Sequence, residues 1–127
     1  MARVMICDDD RALTDQLVQA LHAARHEATT CYHTMDALRE VSRGRFDLIA
    51  FGLDMETATG ASAINAIQEL APGVALIGMH RRPSEIMRTA AHVRLAAVLP
   101  RPVPVTTFMY AVARALEARA RRASANP

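Results

Sequence analysis

A doubly wound, three-layer α/β/α sandwich around a five-stranded parallel sheet is the fold class this sequence predicts, and three observations predict it. Short apolar runs alternate with amphipathic segments along the chain, the pattern of parallel strands joined by crossover helices. The 127 residues, 51% of them hydrophobic, suffice for one domain with a proper core and are too few for two. Three consecutive carboxylates, Asp8, Asp9 and Asp10, follow directly on the first apolar run, Val4-Met5-Ile6-Cys7. They emerge at the C-terminal end of a short buried strand, where open α/β sheets carry their ligand sites.

The elements follow in order. Strands are predicted near residues 3 to 7, 27 to 32, 47 to 52, 74 to 79 and 96 to 99. After Asp10, whose side chain suits an N-cap, Leu13, Leu17 and Leu21 recur at helical spacing. Ala37, Leu38 and Val41 mark a second helix that starts at Thr34 and closes at Gly44. Ile64 and Ile67 mark a third. Ser84 is expected to cap a fourth that carries Ile86, Met87 and Ala90, and Phe108, Val112, Ala115 and Leu116 give the fifth an apolar face. Right-handed crossovers then wind the five strand-helix pairs into one domain over residues 1–122, with a disordered tail at 123–127. No internal repeat or linker interrupts it, and no output domain is expected within this length.

Composition excludes several function classes. Formal net charge is +2, and all 15 basic residues are Arg, so any mechanism that needs a lysine is ruled out. Two cysteines, Cys7 and Cys31, both in apolar runs, argue against a disulfide framework and for a reducing, cytoplasmic setting. No apolar stretch approaches the length of a membrane span, and the N-terminus lacks a signal-peptide pattern. Arg114, Arg119, Arg121 and Arg122 give the last helix a basic end, which the helix dipole alone explains. With three Phe, two Tyr and no Trp to stack on bases, nucleic-acid binding is the disfavoured reading.

The order of elements and the residues at the strand ends resemble the receiver domain of bacterial two-component response regulators, over residues 3 to 120. That resemblance implies a flavodoxin-like fold. It also implies that Asp8 and Asp9 form the acidic pair that helps hold a magnesium ion beside an aspartate ending the third strand. In the family a hydroxyl residue ends the fourth strand and a Lys-Pro the fifth. The aspartate accepts a phosphoryl group from a histidine kinase, and the rearrangement that follows changes which surface binds partners.

Residue by residue, the sequence departs from that pattern. The segment Asp47-Leu48-Ile49-Ala50-Phe51-Gly52-Leu53-Asp54-Met55 resembles the third strand and its loop, and puts Gly52 at the acceptor position. Glycine offers no nucleophile. The fourth strand ends in His80 where Thr or Ser is expected, and Arg81 replaces the small residue that follows. Arg101-Pro102 stands for Lys-Pro, and Val98 for the aromatic switch residue. Glu56, Thr57 and Thr59 replace the customary loop residues, while Gly60 remains.

These departures define the expected chemistry. Without the acceptor one of three anionic metal ligands is lost, so no cofactor is assigned and any Mg²⁺ affinity at Asp8 and Asp9 is expected to be weak. Arg101 is expected to turn its planar fork toward the acidic pair as a fixed counter-ion. Asp54 is the candidate substitute acceptor, but it lies roughly 6 to 7 Å further along an extended chain and reads rather as a solvent-exposed loop acid. His80 with Asp8 and Asp9 raises a transition-metal or small-molecule sensor as another alternative, which Arg81 and Arg101 would oppose by charge. The reading is thus a pseudo-receiver and not an enzyme, working by phosphorylation-independent protein–protein interaction. Its expected surface carries Met87, Arg88, His92, Val98, Met109 and Arg114 on the fourth helix, fifth strand and fifth helix. The expected partner is a histidine kinase or another regulator, with a second copy of the chain as the alternative.

Overall fold

The computed structural model describes residues 1–55, 60–89, 92 and 94–125. Five strands, β1 (Arg3–Cys7), β2 (Glu27–Cys31), β3 (Leu48–Gly52), β4 (Ala75–His80) and β5 (Ala97–Pro100), alternate with helices α1 (Arg11–Ala23), α2 (Thr34–Arg43), α3 (Gly60–Leu70), α4 (Pro83–Met87) and α5 (Val105–Ala125). The sheet is parallel throughout and runs β2-β1-β3-β4-β5. Strand order reverses around β1, so the crevice beyond the C-terminal ends of β1 and β3 is the ligand position of a doubly wound sheet.

Both faces of the sheet are covered, which is why β1, β3 and β4 read as continuous apolar runs and not as alternating ones. Val4, Ile6, Leu48, Ala50, Ile77 and Met79 pack against Leu13, Leu17 and Leu21 of α1 and Phe108, Val112 and Ala115 of α5. Met5, Ile49, Phe51 and Leu76 turn the other way, onto Ala37 and Val41 of α2, Ile64 and Ile67 of α3 and Ile86 of α4. Cys7 and Cys31 face one another in register across β1 and β2 as buried thiols. Burial, with Glu40 and Asp36 nearby, pushes the Cys31 thiol up to about 11, so it packs as a small hydrophobe.

Two element ends differ from expectation. α4 starts at Pro83 with Arg82 at the N-cap and no side-chain cap, so Ser84 lies inside the helix and caps nothing. Proline is preorganised for a first helical position and takes the start two residues earlier than a Ser84 cap would. The helix ends at Met87, and Ala90 lies outside the described residues. α5 continues to Ala125, past the boundary expected at residue 122, because its Arg- and Ala-rich end has strong helix propensity without needing an apolar face. Residues 126 and 127 are outside the described residues, as are Glu56, Thr57 and Thr59.

Candidate functional site: an arginine-filled pocket at the strand ends

Parallel strands bring their C-terminal ends to one edge, and the loops there carry every charged residue of the site. Register pairs Cys7 with Phe51, Gly52 with Met79 and His80 with Pro100, so Asp8, Gly52, His80 and Arg101 end up as neighbours. Asp8 is fully buried. Its Oδ1 accepts the Asp10 amide at 2.9 Å and Arg101 Nη2 at 2.6 Å. Asp9 accepts the same Nη2 at 2.9 Å and stays half exposed. Asp10 caps α1, its Oδ1 accepting the Leu13 amide at 3.1 Å, and stands apart from the arginine.

Arg101 completes its fork on the other side. Nη1 donates to Asp54 Oδ1 at 2.6 Å, and the guanidinium side chain is only 9% exposed. Asp54 in turn accepts the Arg81 amide at 2.9 Å and Arg81 Nε at 3.1 Å on its other oxygen. Its side chain is 15% exposed, so the expectation of a solvent-exposed loop acid is corrected: Asp54 is an ion-paired member of the pocket. Three carboxylates, Asp8, Asp9 and Asp54, thus converge on the Arg101 guanidinium, and Arg81 brings a second positive charge to Asp54.

The carboxylates respond differently to this setting. Burial dominates at Asp8 and raises its carboxyl above the ordinary range, against the Asp10 amide and Arg101, which pull it down. Burial works in the same direction at Asp54, but the Arg81 amide and Arg101 together hold that carboxyl below its ordinary value. For Arg101 burial opposes the charge, while Asp54, Asp8 and Asp9 outweigh it and keep the guanidinium firmly protonated.

His80 is buried at the end of β4, and its Nδ1 accepts the Arg82 amide at 2.8 Å. Its ring nitrogens stand 4.0 Å from Asp54 Oδ2 and 3.9 Å from Glu85 Oε2. Among the described residues no group of three or more His, Cys, Asp or Glu side chains converges to hold a metal, so His80 does not join Asp8 and Asp9 as a ligand set.

The magnesium ion that the resemblance implies does not fit these residues. Arg101 already bonds one oxygen of each acid of the pair and supplies the positive charge there, so a divalent cation would have to displace it against charge repulsion. Asp8 Oδ2, the remaining oxygen, meets no described donor and lies over the bare backbone of Gly52. A cleft of about 380 Å³ opens beside the pocket, lined by Asp9, Asp10, Leu13, Arg81, Arg101 and Pro102.

The expected interaction surface is a separate feature. Met87 is 51% exposed, and Arg88 and Arg114 are exposed. Val98 and Met109 are partly buried and pack on opposite faces of the sheet, so they support the surface more than they present it. His92 is half-buried, with Nδ1 2.6 Å from the Thr89 carbonyl. The sequence reading missed Tyr110, 68% exposed, with the Arg114 guanidinium 6.0 Å from its ring centre. In the basic end of α5, Arg119 is tied back to Asp47 and the Gly73 carbonyl, and Arg121 to Glu117.

Comparison with known proteins gives this architecture a family. The family model described as response regulator receiver domain matches residues 4–113. The DNA-binding transcriptional regulator NtrC of Azospirillum brasilense is 32% identical over 116 residues, covering 91% of this chain and 24% of that protein. A response regulator receiver protein of Anaeromyxobacter is 27% identical over 110 residues, covering 86% of this chain and 46% of that one. The chain thus spans about a quarter of the length of the first of these relatives and just under half of the second. Among solved structures, a CheY-like receiver domain protein from Methanospirillum hungatei superposes with a TM-score of 0.87 at 19% identity, over 96% of this chain and 98% of that one. At that identity the match speaks for the fold, a flavodoxin-like five-stranded α/β sandwich. The chain belongs to the response regulator receiver family of two-component signalling.

Proposed function

We propose that this receiver works without phosphorylation at the usual position, signalling through protein–protein contacts of the surface built from α4, β5 and α5. Gly52 is the observation that carries the reading. In-line attack on phosphorus needs a carboxylate at the strand end, and a glycine there removes the covalent step itself. The groups that would stabilise a transferred phosphoryl are also changed, with His80 for a hydroxyl and Arg101, already committed to three carboxylates, for lysine. No catalytic residue is assigned.

Asp54 is a poor substitute acceptor on this reading. Both its oxygens accept hydrogen bonds, from Arg101 and from Arg81, and a lowered carboxyl affinity for protons makes it a weaker nucleophile. Met87, Arg88, Tyr110 and Arg114 present mixed apolar and basic chemistry, which suits a kinase, another regulator or a second copy of the chain.

Acetyl phosphate with Mg²⁺ tests the proposal. Intact mass spectrometry is expected to find the protein unmodified. Stoichiometric addition of a phosphoryl group would refute it, and disappearance of that addition in Asp54→Asn would assign the acceptor role to Asp54.

A further inference from the structure

We infer that the strand-end pocket is an internal-cation latch. Arg101 is its resident cation, the bare backbone of Gly52 lets the carboxylates close on it, and Asp54 is the positioning residue that passes its hold to the start of α4. This rests on the reading of a receiver without its acceptor and specifies how that receiver is held in one state.

Gly52 does more than lack a nucleophile. A Cβ built there would lie 2.9 Å from Asp8 Oδ2, closer than real Cβ atoms approach, and 3.0 Å from Met55 Cγ, a tight contact. Asp8 is fully buried, and its other oxygen is committed to the Asp10 amide and Arg101, so it has little freedom to retreat. Any side chain at 52 therefore presses on Asp8 Oδ2 and must shift that carboxylate, whose other oxygen holds Arg101 at 2.6 Å. The closed pocket is built around the glycine.

Arg101 joins the loops that leave two neighbouring strands, β1 and β3, beyond the last backbone pairing of Cys7 with Phe51. Nη2 holds Asp8 and Asp9 after β1, and Nη1 holds Asp54 after β3. A planar fork with several fixed donors can bridge carboxylates in this way, which a point charge on a flexible stem cannot do. Occupation by Arg101 and by a divalent ion is consequently competitive: each neutralises the same oxygens, and together they would repel.

From Asp54 the hold reaches the neighbouring loop. Its second oxygen takes the amide and Nε of Arg81, and the Arg101 amide donates to the His80 carbonyl at 3.0 Å. His80 Nδ1 then accepts the amide of Arg82, the N-cap of α4, whose carbonyl accepts the Glu85 amide. α4 has only five residues and no side-chain cap, so although Pro83 marks its first residue, little within the helix itself holds it in place. The position of this part of the proposed surface is set from the pocket, with no ligand required.

The experiment uses Mn²⁺ as the probe, followed by the paramagnetic resonance signal of the free ion, together with amide hydrogen exchange of α4. The parent is expected to leave the Mn²⁺ signal unchanged, and Arg101→Ala to bind the ion at least about tenfold more tightly. Asp54→Asn is expected to accelerate exchange of the Arg88 and Thr89 amides, which bond to Ser84 and Ile86, without accelerating that of Thr14 in α1. Mn²⁺ binding by the parent equal to that of Arg101→Ala overturns the inference. So does unchanged exchange in Asp54→Asn. Should Arg101→Ala not fold, the parent's own titration and the Asp54→Asn exchange still decide. Phosphoryl addition to the parent would refute the function proposed above, whereas Mn²⁺ binding by the parent refutes only the latch.

Discussion

Asp8 and Asp54 meet the same guanidinium, yet their surroundings give them opposite relations to acid. Asp54 is held below the ordinary carboxylate value of about 3.9 by hydrogen bonds and charge that outweigh its burial. The stability it brings is present above that ordinary value and is lost as pH falls through its lowered folded-state value. Asp8 is raised, so its contribution is present below the ordinary value and is lost as pH rises through its folded one. Descending from neutrality, the protein therefore first gains a proton at Asp8 with no penalty to folding and later loses the Asp54 pair. Asp54→Asn is expected to flatten the acid limb of stability below the ordinary carboxylate value in urea denaturation, while lowering stability at neutral pH. A parallel acid limb in the variant would place the acid-sensitive pair elsewhere.

Among the elements, α1 and α4 show how unequally helices can be secured. α1 has an Asp10 cap on the Leu13 amide, a second bond from the Thr14 amide to the Asp10 carbonyl, and Leu13, Leu17 and Leu21 buried against the sheet. α4 has a proline start, Ile86 as its buried anchor and the Arg82 to Glu85 ion pair at 3.4 Å on an exposed surface, a contact worth little by itself. Asp10→Ala is expected to cost about 1 kcal/mol of stability, the usual effect of losing such a cap. Chemical denaturation should show the midpoint falling with an unchanged denaturant slope, since the surface exposed on unfolding is the same. A cost near zero would mean that packing of the leucine face alone determines where α1 begins.

For the whole molecule, the pocket and the proposed contact surface occupy different parts of the doubly wound sheet. The pocket lies at the C-terminal edge of the strands, while the proposed contact surface runs along α4, β5 and α5. Arg88→Glu and Arg114→Glu are expected to weaken self-association or capture by a signalling partner, with an unchanged circular dichroism spectrum, because both residues are exposed. Sedimentation velocity measures the first outcome. Unchanged association in both variants, with association lost when Asp8 and Asp9 are replaced by Asn, would move the working site to the pocket.

The sequence by itself determined the five strand-helix pairs, because the periodicity that marks a buried strand or an amphipathic helix is a local property of a few residues. It also made the meeting of Arg101 with Asp8 and Asp9 legible, because parallel strands must deliver their C-terminal loops to one edge. Only the tertiary structure decided that Asp54 joins them. That contact spans 47 residues and depends on how two loops bend, which no periodicity encodes. The Gly52 side of the pocket was hidden for a related reason: a glycine announces a missing group, while the close approach of Asp8 Oδ2 that fills the space is a matter of packing. The start of α4 and the end of α5 escaped because weak local signals, a proline against a serine and a polar helix end without an apolar stripe, leave the boundary to backbone geometry.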